Sequence, residues 1–349
     1  MKTEVIPVEN PFAEGVIRAG QAIEAGQLVA FPTETVYGLG ANGLDGKAVE
    51  QIFLAKGRPQ DNPLILHVAE PEAALALWDN PPQSAKRLME TFWPGPLTII
   101  YKKAAHIPDQ VTAGLDSVAV RLPAHPVARE MIRAAGVPVA APSANLSGKP
   151  SPTTAAHVLA DMDGRIPMIL DGGSAEYGVE STVVSLLGEE PVILRPGAVT
   201  KEMLEAVLGG VQVADSILSP MAEGAVAASP GMKYKHYAPN ARVRVFCGRP
   251  EKVSKEVQKQ YNSAQKNGTN CKILATEQTK DYYSTNGIFL LGDREQPVTL
   301  CKNLFAALRD LGDEADLILA EGIPPVGEGL AYMNRLLRAA GFDVVYLQD

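Results

Sequence analysis

The sequence predicts an α/β protein in two parts, and three observations carry that prediction. Over residues 1–210, short apolar strands and amphipathic helices follow one another without a regular βαβ rhythm, which predicts a twisted, partly antiparallel sheet. Over 241–349 the alternation is clean, which predicts a smaller Rossmann-like parallel sheet. Between them, residues 211–240 read as a linker. It follows Gly209-Gly210 and passes through alanines and serines into S-P-G-M-K-Y-K-H-Y-A-P-N, which is too aromatic and basic for a passive spacer. A length of 349 residues also favours two domains over one.

In chain order, residues 11–25 carry Val16, Ala19 and Ile23 at helical spacing, and Gly26 stops that helix before the strand Leu28–Phe31. Pro32 ends the strand and opens T-E-T-V-Y-G-L-G-A-N, read as a loop. Asp45 caps a helix over Lys47–Lys56 whose buried stripe is Val49, Ile52 and Phe53. A strand over Leu64–Val68 follows, then helical stretches over Glu72–Trp78 and Gln83–Phe92. The W-P-G-P turn leads into a strand over Leu97–Tyr101. Ser117–Arg121 reads as a strand with Ser117, Ala119 and Arg121 on one face. A helix over 126–135 and a strand over Val137–Ala140 lead to A-P-S-A-N-L-S-G-K-P-S-P, and His157 lies on the next helix. Strands over Met168–Leu170, Ser181–Leu186 and Val192–Leu194 and a helix over Lys201–Leu208 complete the first part. The second part is predicted as strands at Val243–Cys247, Lys272–Ala275, Ile288–Leu291, Leu317–Ala320 and Val344–Leu347, with helices at 251–265, 299–311 and 328–340.

Composition narrows the function. Hydrophobic residues make up 46% and charged residues 21%, as in a soluble globular chain. No run of eighteen apolar residues occurs and the N-terminus lacks an apolar signal core, so the expectation is a cytoplasmic protein without a membrane partner. Cys247, Cys271 and Cys301 show no C-x-x-C spacing, and the five histidines form no H-E-x-x-H. No metal held by protein side chains is predicted. Residues 1–210 hold 16 Lys+Arg against 24 Asp+Glu, a net of −8, which argues against DNA or non-specific nucleic-acid binding. Cations gathered in loops of such a domain stand out.

The polar loops supply the candidate site. Thr33, Thr35 and two glycines follow the first strand. Lys56 and Arg58 flank Gly57, and Asn62 and His67 come next. A helix C-terminus attracts cations in any protein, but an Arg fork beside a Lys point charge also suits phosphate. Ser143, Asn145, Ser147, Gly148, Lys149 and Ser151 make either an ordinary turn or a nest of donors for phosphate oxygens. No Walker loop is present, and the second part lacks a G-x-G-x-x-G after its first strand, so dinucleotide binding is not supported there. Arg121 lies in an apolar strand, where a structural salt bridge and a grip on a substrate carboxylate are both open; Arg195 shares the ambiguity. Ser181 has no G-x-S-x-G around it.

K-G-R and S-A-N, preceded by P-T-E-T-V-Y-G-L-G, resemble the YrdC-like family. The linker S-P-G-M-K-Y-K-H-Y-A-P and the second part are similar to its long form, the two-domain threonylcarbamoyl-AMP synthases. The resemblance spans nearly the whole chain, densest at 29–67, 111–123, 137–153, 171–197 and 229–239. It implies an open, twisted mixed sheet with a central cavity over 1–210, a linker and active-site lid over 211–240 and a Rossmann-like domain over 241–349. It further implies an enzyme joining L-threonine, bicarbonate and ATP into threonylcarbamoyl-adenylate, with Mg²⁺ bound through the phosphates. The product would pass to a separate transferase that modifies tRNA. By motif, Thr33, Thr35, His67, Arg121, Ala141 and Ser181 would surround threonine, with Arg121 on its carboxylate. Arg58, Asn62, Ser117, Ser143, Ser151 and Arg195 would hold ATP. Lys56 and Asn145 would complete the signatures near the phosphates, and Tyr234 and His236 would close over the nucleotide. Lys56 and Arg58 are the expected catalytic pair.

Overall fold

The computed structural model describes residues 2–220 and 236–348, in two compact units. The first holds the chain up to Ser147 and Ser151–Ile217; the second holds Gly148–Pro150, Leu218–Pro220 and the described chain from 236 onward.

Among the described residues, eleven strands build the first unit: β1 (Glu4–Pro7), β2 (Val29–Phe31), β3 (Gly38–Asn42), β4 (Ile65–His67), β5 (Leu97–Lys102), β6 (Ser117–Arg121), β7 (Val139–Ala140), β8 (Met168–Asp171), β9 (Thr182–Ser185), β10 (Val192–Arg195) and β11 (Gln212–Val213). They form one mixed sheet in the order β1-β8-β2-β3-β7-β4-β6-β5-β9-β10-β11. Pairs such as β4–β6 and β5–β9 are parallel, while β2–β3, β4–β7 and β5–β6 are antiparallel, as the irregular rhythm predicts.

Three strands, β3, β1 and β11, differ from the sequence reading. β3 is built from Gly-Leu-Gly-Ala-Asn, where two glycines argue against a strand. Gly40 is needed there because a Cβ would lie 2.8 Å from Val139 Cγ1 and 3.0 Å from Phe31. β1 is a short, largely solvent-facing edge strand whose four residues carry little pattern. The predicted helix over Glu72–Trp78 is shorter, Pro71–Leu75, because Trp78 instead bridges Lys103 and donates its indole N–H to the Val118 carbonyl at 3.3 Å. β11 lies inside the stretch read as linker.

The helix Gly46–Lys56 shows how local sequence delivers site residues. Asp45 accepts from the Lys47 amide at 2.9 Å, and Val49, Ile52 and Phe53 are buried. At its end Gly57 turns left-handed (φ 61°) and the Arg58 amide donates back to the Phe53 carbonyl at 2.9 Å. Helix Glu14–Glu24 packs against helix Pro126–Ala135, and Val16, Ile23, Phe31, Met131 and Ile132 form the core between them and the sheet.

The second unit has five strands, β12 (Arg242–Cys247), β13 (Cys271–Thr276), β14 (Ile288–Gly292), β15 (Leu317–Glu321) and β16 (Val344–Tyr346). All are parallel, in the order β14-β13-β15-β12-β16. Helices Pro250–Lys266, Pro297–Glu314 and Glu328–Ala339 connect them, and Phe246, Val257, Ile273 and Leu319 fill its core. At the end of the central strand, Glu321 is fully buried and accepts from the Thr276, Thr279 and Tyr283 hydroxyls. Among the described residues no helix is long and apolar enough to cross a membrane.

Candidate active site

The sheet register assembles the site. Val139 on β7 opposes His67 on β4, and His67 opposes Arg121 on β6. Arg121 opposes Thr98 on β5, Thr98 opposes Val183 on β9, and Val183 opposes Arg195 on β10. Directly opposed residues share a face, so His67, Arg121, Thr98 and Arg195 stand in one transverse row. At about 4.8 Å per strand, Arg195 sits roughly 14 Å from Arg121. It enters the row only through a bulge: β10 pairs Ile193 with Val184 and then Arg195, not Leu194, with Val183.

The P-T-E-T segment feeds this row from the end of β2. Thr33 gives its hydroxyl proton to the Val36 carbonyl (2.6 Å) and accepts from the Thr35 and Val36 amides (3.2 Å each). Its proton being used, the 2.8 Å contact between the two threonine hydroxyls is donated by Thr35. Thr33 therefore pins the turn. Thr35 accepts at 2.9 Å from Arg121 Nη1. Arg121 also donates through Nη2 to Glu34 Oε1 at 2.6 Å and through Nε to the Gly95 carbonyl at 3.3 Å, so the W-P-G-P turn holds it too. Glu34 and Arg121 are each only 4% exposed. Of the two possibilities open in the sequence, the structure contains the salt bridge.

His67 lies beside this guanidinium. Its Nδ1 is 3.2 Å from the Ile65 carbonyl, and Phe31 meets its ring edge-on. Burial first, then the charge of Arg121, holds its imidazole down at about 3, so it is neutral at physiological pH. A neutral ring can accept from a hydroxyl or an amine.

Lys56 is buried, and its ammonium donates to the carbonyls of Ser143 (2.5 Å) and Asn145 (2.6 Å). The Ser147 amide returns a bond to the Lys56 carbonyl at 3.0 Å. Within the loop, Ser143 Oγ donates to Asn145 Oδ1 at 2.6 Å, and Ser143 bridges Gly38 on β3. The K-G-R and S-A-N motifs are thus one structural unit. Arg58 is half-buried as a residue and stacks its guanidinium 6.0 Å from the Phe53 ring centroid, and Asn62 is fully buried nearby in sequence.

A second hydroxyl group closes the other end of the row. Ser181 and Thr98 hydroxyls are 2.8 Å apart, and Arg195 donates to the Ser181 carbonyl and hydroxyl, both at 3.0 Å. Ser151 donates to Glu180 Oε1 at 2.5 Å. Gly197 permits this packing, since a Cβ there would lie 2.4 Å from the Thr182 amide nitrogen and 2.8 Å from the Glu180 carbonyl. Ala141 is buried, its amide donating to the Ile65 carbonyl at 2.9 Å.

Other expected residues lie apart. Ser117 begins β6, about 13 Å along the strand from Arg121, in a groove with Lys102, Lys103 and Asp116. His236 belongs to the second unit, next to Tyr237, whose ring packs on Phe305 at 5.0 Å. Tyr234 lies outside the described residues. Sequence reasoning missed Glu34, Thr98 and Glu180 as site residues. For Thr98 a signal existed: a single hydroxyl in the apolar run L-T-I-I calls for a buried partner.

Residues 21–197 match the family described as "Telomere recombination", which groups Sua5, YciO and YrdC proteins, and 199–341 match the "Threonylcarbamoyl-AMP synthase, C-terminal domain". The chain is 48% identical to the threonylcarbamoyl-AMP synthase of Bacillus subtilis over 95% of this chain and 94% of that one. It is 45% identical to the synthase of Pyrococcus abyssi over 98% and 99%. The crystal structure of P. abyssi Sua5 complexed with L-threonine superposes with a TM-score of 0.93 at 44% identity, covering 99% of this chain and all of that one. An α/β domain with cations and neutral hydroxyls on one face of a mixed sheet, at this level of likeness, makes the protein a nucleotidyltransferase. The chain belongs to the two-domain, Sua5-type threonylcarbamoyl-AMP synthases, with a YrdC domain followed by a Sua5 C-terminal domain.

Proposed function

We propose that this chain condenses L-threonine with bicarbonate to a carbamate, releasing water, and that the carbamate oxygen attacks the α-phosphorus of ATP, releasing pyrophosphate. The observation that carries this reading is the row of His67, Arg121, Thr98 and Arg195 on one sheet face. It offers a carboxylate grip and a neutral hydroxyl acceptor at one end and a second guanidinium at the other. Threonine is assigned to Thr35, His67, Arg121 and Ala141 and, reaching from the far end of the row, Ser181. ATP is assigned to Arg58, Asn62, Ser117, Ser143, Ser151 and Arg195, with Lys56 and Asn145 shaping the loop that faces the phosphates. Arg58 and Arg195 supply guanidinium N–H donors, which fit phosphate oxygens. Mg²⁺ would therefore be carried on the triphosphate and would neutralise charge on departing pyrophosphate.

Orientation of three reactants contributes up to roughly 7–11 kcal/mol where alignment is ideal. Residues 211–240, including Tyr234 and His236, are assigned the role of a lid over the nucleotide. The adenylate would serve a separate transferase acting on tRNA in the cytoplasm, a setting compatible with three cysteines that are all free thiols.

The deciding experiment measures pyrophosphate release from ATP with threonine and bicarbonate omitted in turn. Release that needs both is expected. Turnover indifferent to threonine would assign the site to another acceptor.

A further inference from the structure

We propose that Glu34 receives the α-ammonium group of the amino-acid substrate, so that Glu34 and Arg121 together recognise both charges of a zwitterion. The inference rests on the threonine-using function above.

Glu34 is 4% exposed, and only one of its carboxylate oxygens is satisfied. Oε1 accepts from Arg121, while Oε2 is shielded from solvent and has no hydrogen-bond partner among the described residues. An orphaned buried carboxylate oxygen is costly, on the order of 1–3 kcal/mol or more, and native proteins rarely leave one without a purpose. Arg121 on β6 is its ion-pair partner, and Glu34 also acts electrostatically on His125 beyond β6 and Tyr177 beyond β8. His125 is committed elsewhere, since its Nδ1 accepts from the Val127 amide and its ring also bonds the Gly172 backbone.

Arg121 carries five N–H donors, and three are engaged by Glu34, Thr35 and Gly95. Two are left for an incoming carboxylate. An α-amino acid presents a carboxylate and an ammonium one carbon apart, and the Arg121–Glu34 pair presents the complementary charges side by side. In the free protein each member of the pair compensates the other. Substrate would complete both without adding net charge to a buried site. The nitrogen held at Oε2 is the one that, once its ammonium form has given up a proton, becomes the carbamate nitrogen, so this contact is a positioning element for the first bond formed.

The test compares L-threonine with (R)-3-hydroxybutyrate, which is threonine without its amino group, by calorimetric binding to the full chain. The wild type should prefer threonine by roughly 30-fold or more, and Glu34→Gln should shrink that preference to about threefold by weakening threonine alone. Glu34→Asp, which keeps the charge, should lie between them, and the KM for ATP should stay within about twofold in both variants. Equal weakening of both ligands would assign Glu34 a structural role only and overturn the proposal, as would unchanged threonine affinity. If Glu34→Gln fails to fold, the comparison of wild type with Glu34→Asp decides in the same way. Wild-type turnover that does not need threonine would instead overturn the function on which the inference rests, a result that does not involve Glu34.

Discussion

The ammonium of Lys56 sits 2.6 Å from the carbonyl oxygen of Asn145, across 89 residues of chain. With the parallel bond to Ser143, this makes Lys56 the rivet of the loop that faces the proposed nucleotide, while Arg58 two residues on is only partly buried.

The two cations should therefore fail differently. Lys56→Ala leaves two carbonyls without their charged donor and should lose about 3 kcal/mol of stability. It should also lose about 100-fold or more in pyrophosphate release. Arg58→Ala should lose comparable activity with a denaturation midpoint close to wild type. Urea titrations beside the activity assay separate the two, and equal stabilities would refute the rivet.

Gly197→Ala tests the far end of the row. The added methyl would press on backbone atoms of Glu180–Thr182, which cannot yield as a flexible side chain can. Overpacking of this kind costs about 1–3 kcal/mol. Displacement of Ser181 should raise the KM for threonine, and an unchanged KM would show that this segment does not shape that pocket.

His67 gives a signed pH dependence. Its folded-state value of about 3 lies below the ordinary 6.5, so the unfolded chain takes up the proton first on acidification. The associated stability is fully present above pH 6.5 and is lost progressively from there down toward pH 3. Between pH 4 and 6 this one group adds a slope of about 1.4 kcal/mol per pH unit. His67→Gln should remove that increment from a plot of unfolding free energy against pH, and an unaltered slope would contradict the buried neutral imidazole.

Asp45→Ala removes the cap of the helix that ends in Lys56. A loss of about 1 kcal/mol is expected with little change in turnover, because helix Gly46–Lys56 remains held by Val49, Ile52 and Phe53. A large loss of activity without loss of stability would mean that the helix start matters in some other way.

Much of this was legible in the sequence. Helices Gln83–Phe92, Pro126–Ala135 and Lys201–Leu208 follow their apolar spacing and terminal signals, and the regular rhythm after residue 240 matches an all-parallel sheet. The polar loops were visible as motifs, but their joining was not. Nothing local in K-G-R says that its lysine is spent on the backbone of S-A-N. Arg121 read as an ambiguous charge because its partner, Glu34, lies 87 residues away. The face of β10 that Arg195 occupies could not be read, since a bulge decides it, and a bulge is set by pairing. β3 was hidden because its glycines are chosen for space rather than for strand preference.

The transverse row has a consequence for how this enzyme fails. Its members come from β4, β6, β5 and β10, all interior to an eleven-stranded sheet. Interior strands open only with the whole unit, unlike termini or surface loops that fray on their own. Loss of the amino-acid end of the site should therefore coincide with global melting. The protein would pass from competent to unfolded with no half-active species in between, and a cell's quality-control proteases would meet one population or the other.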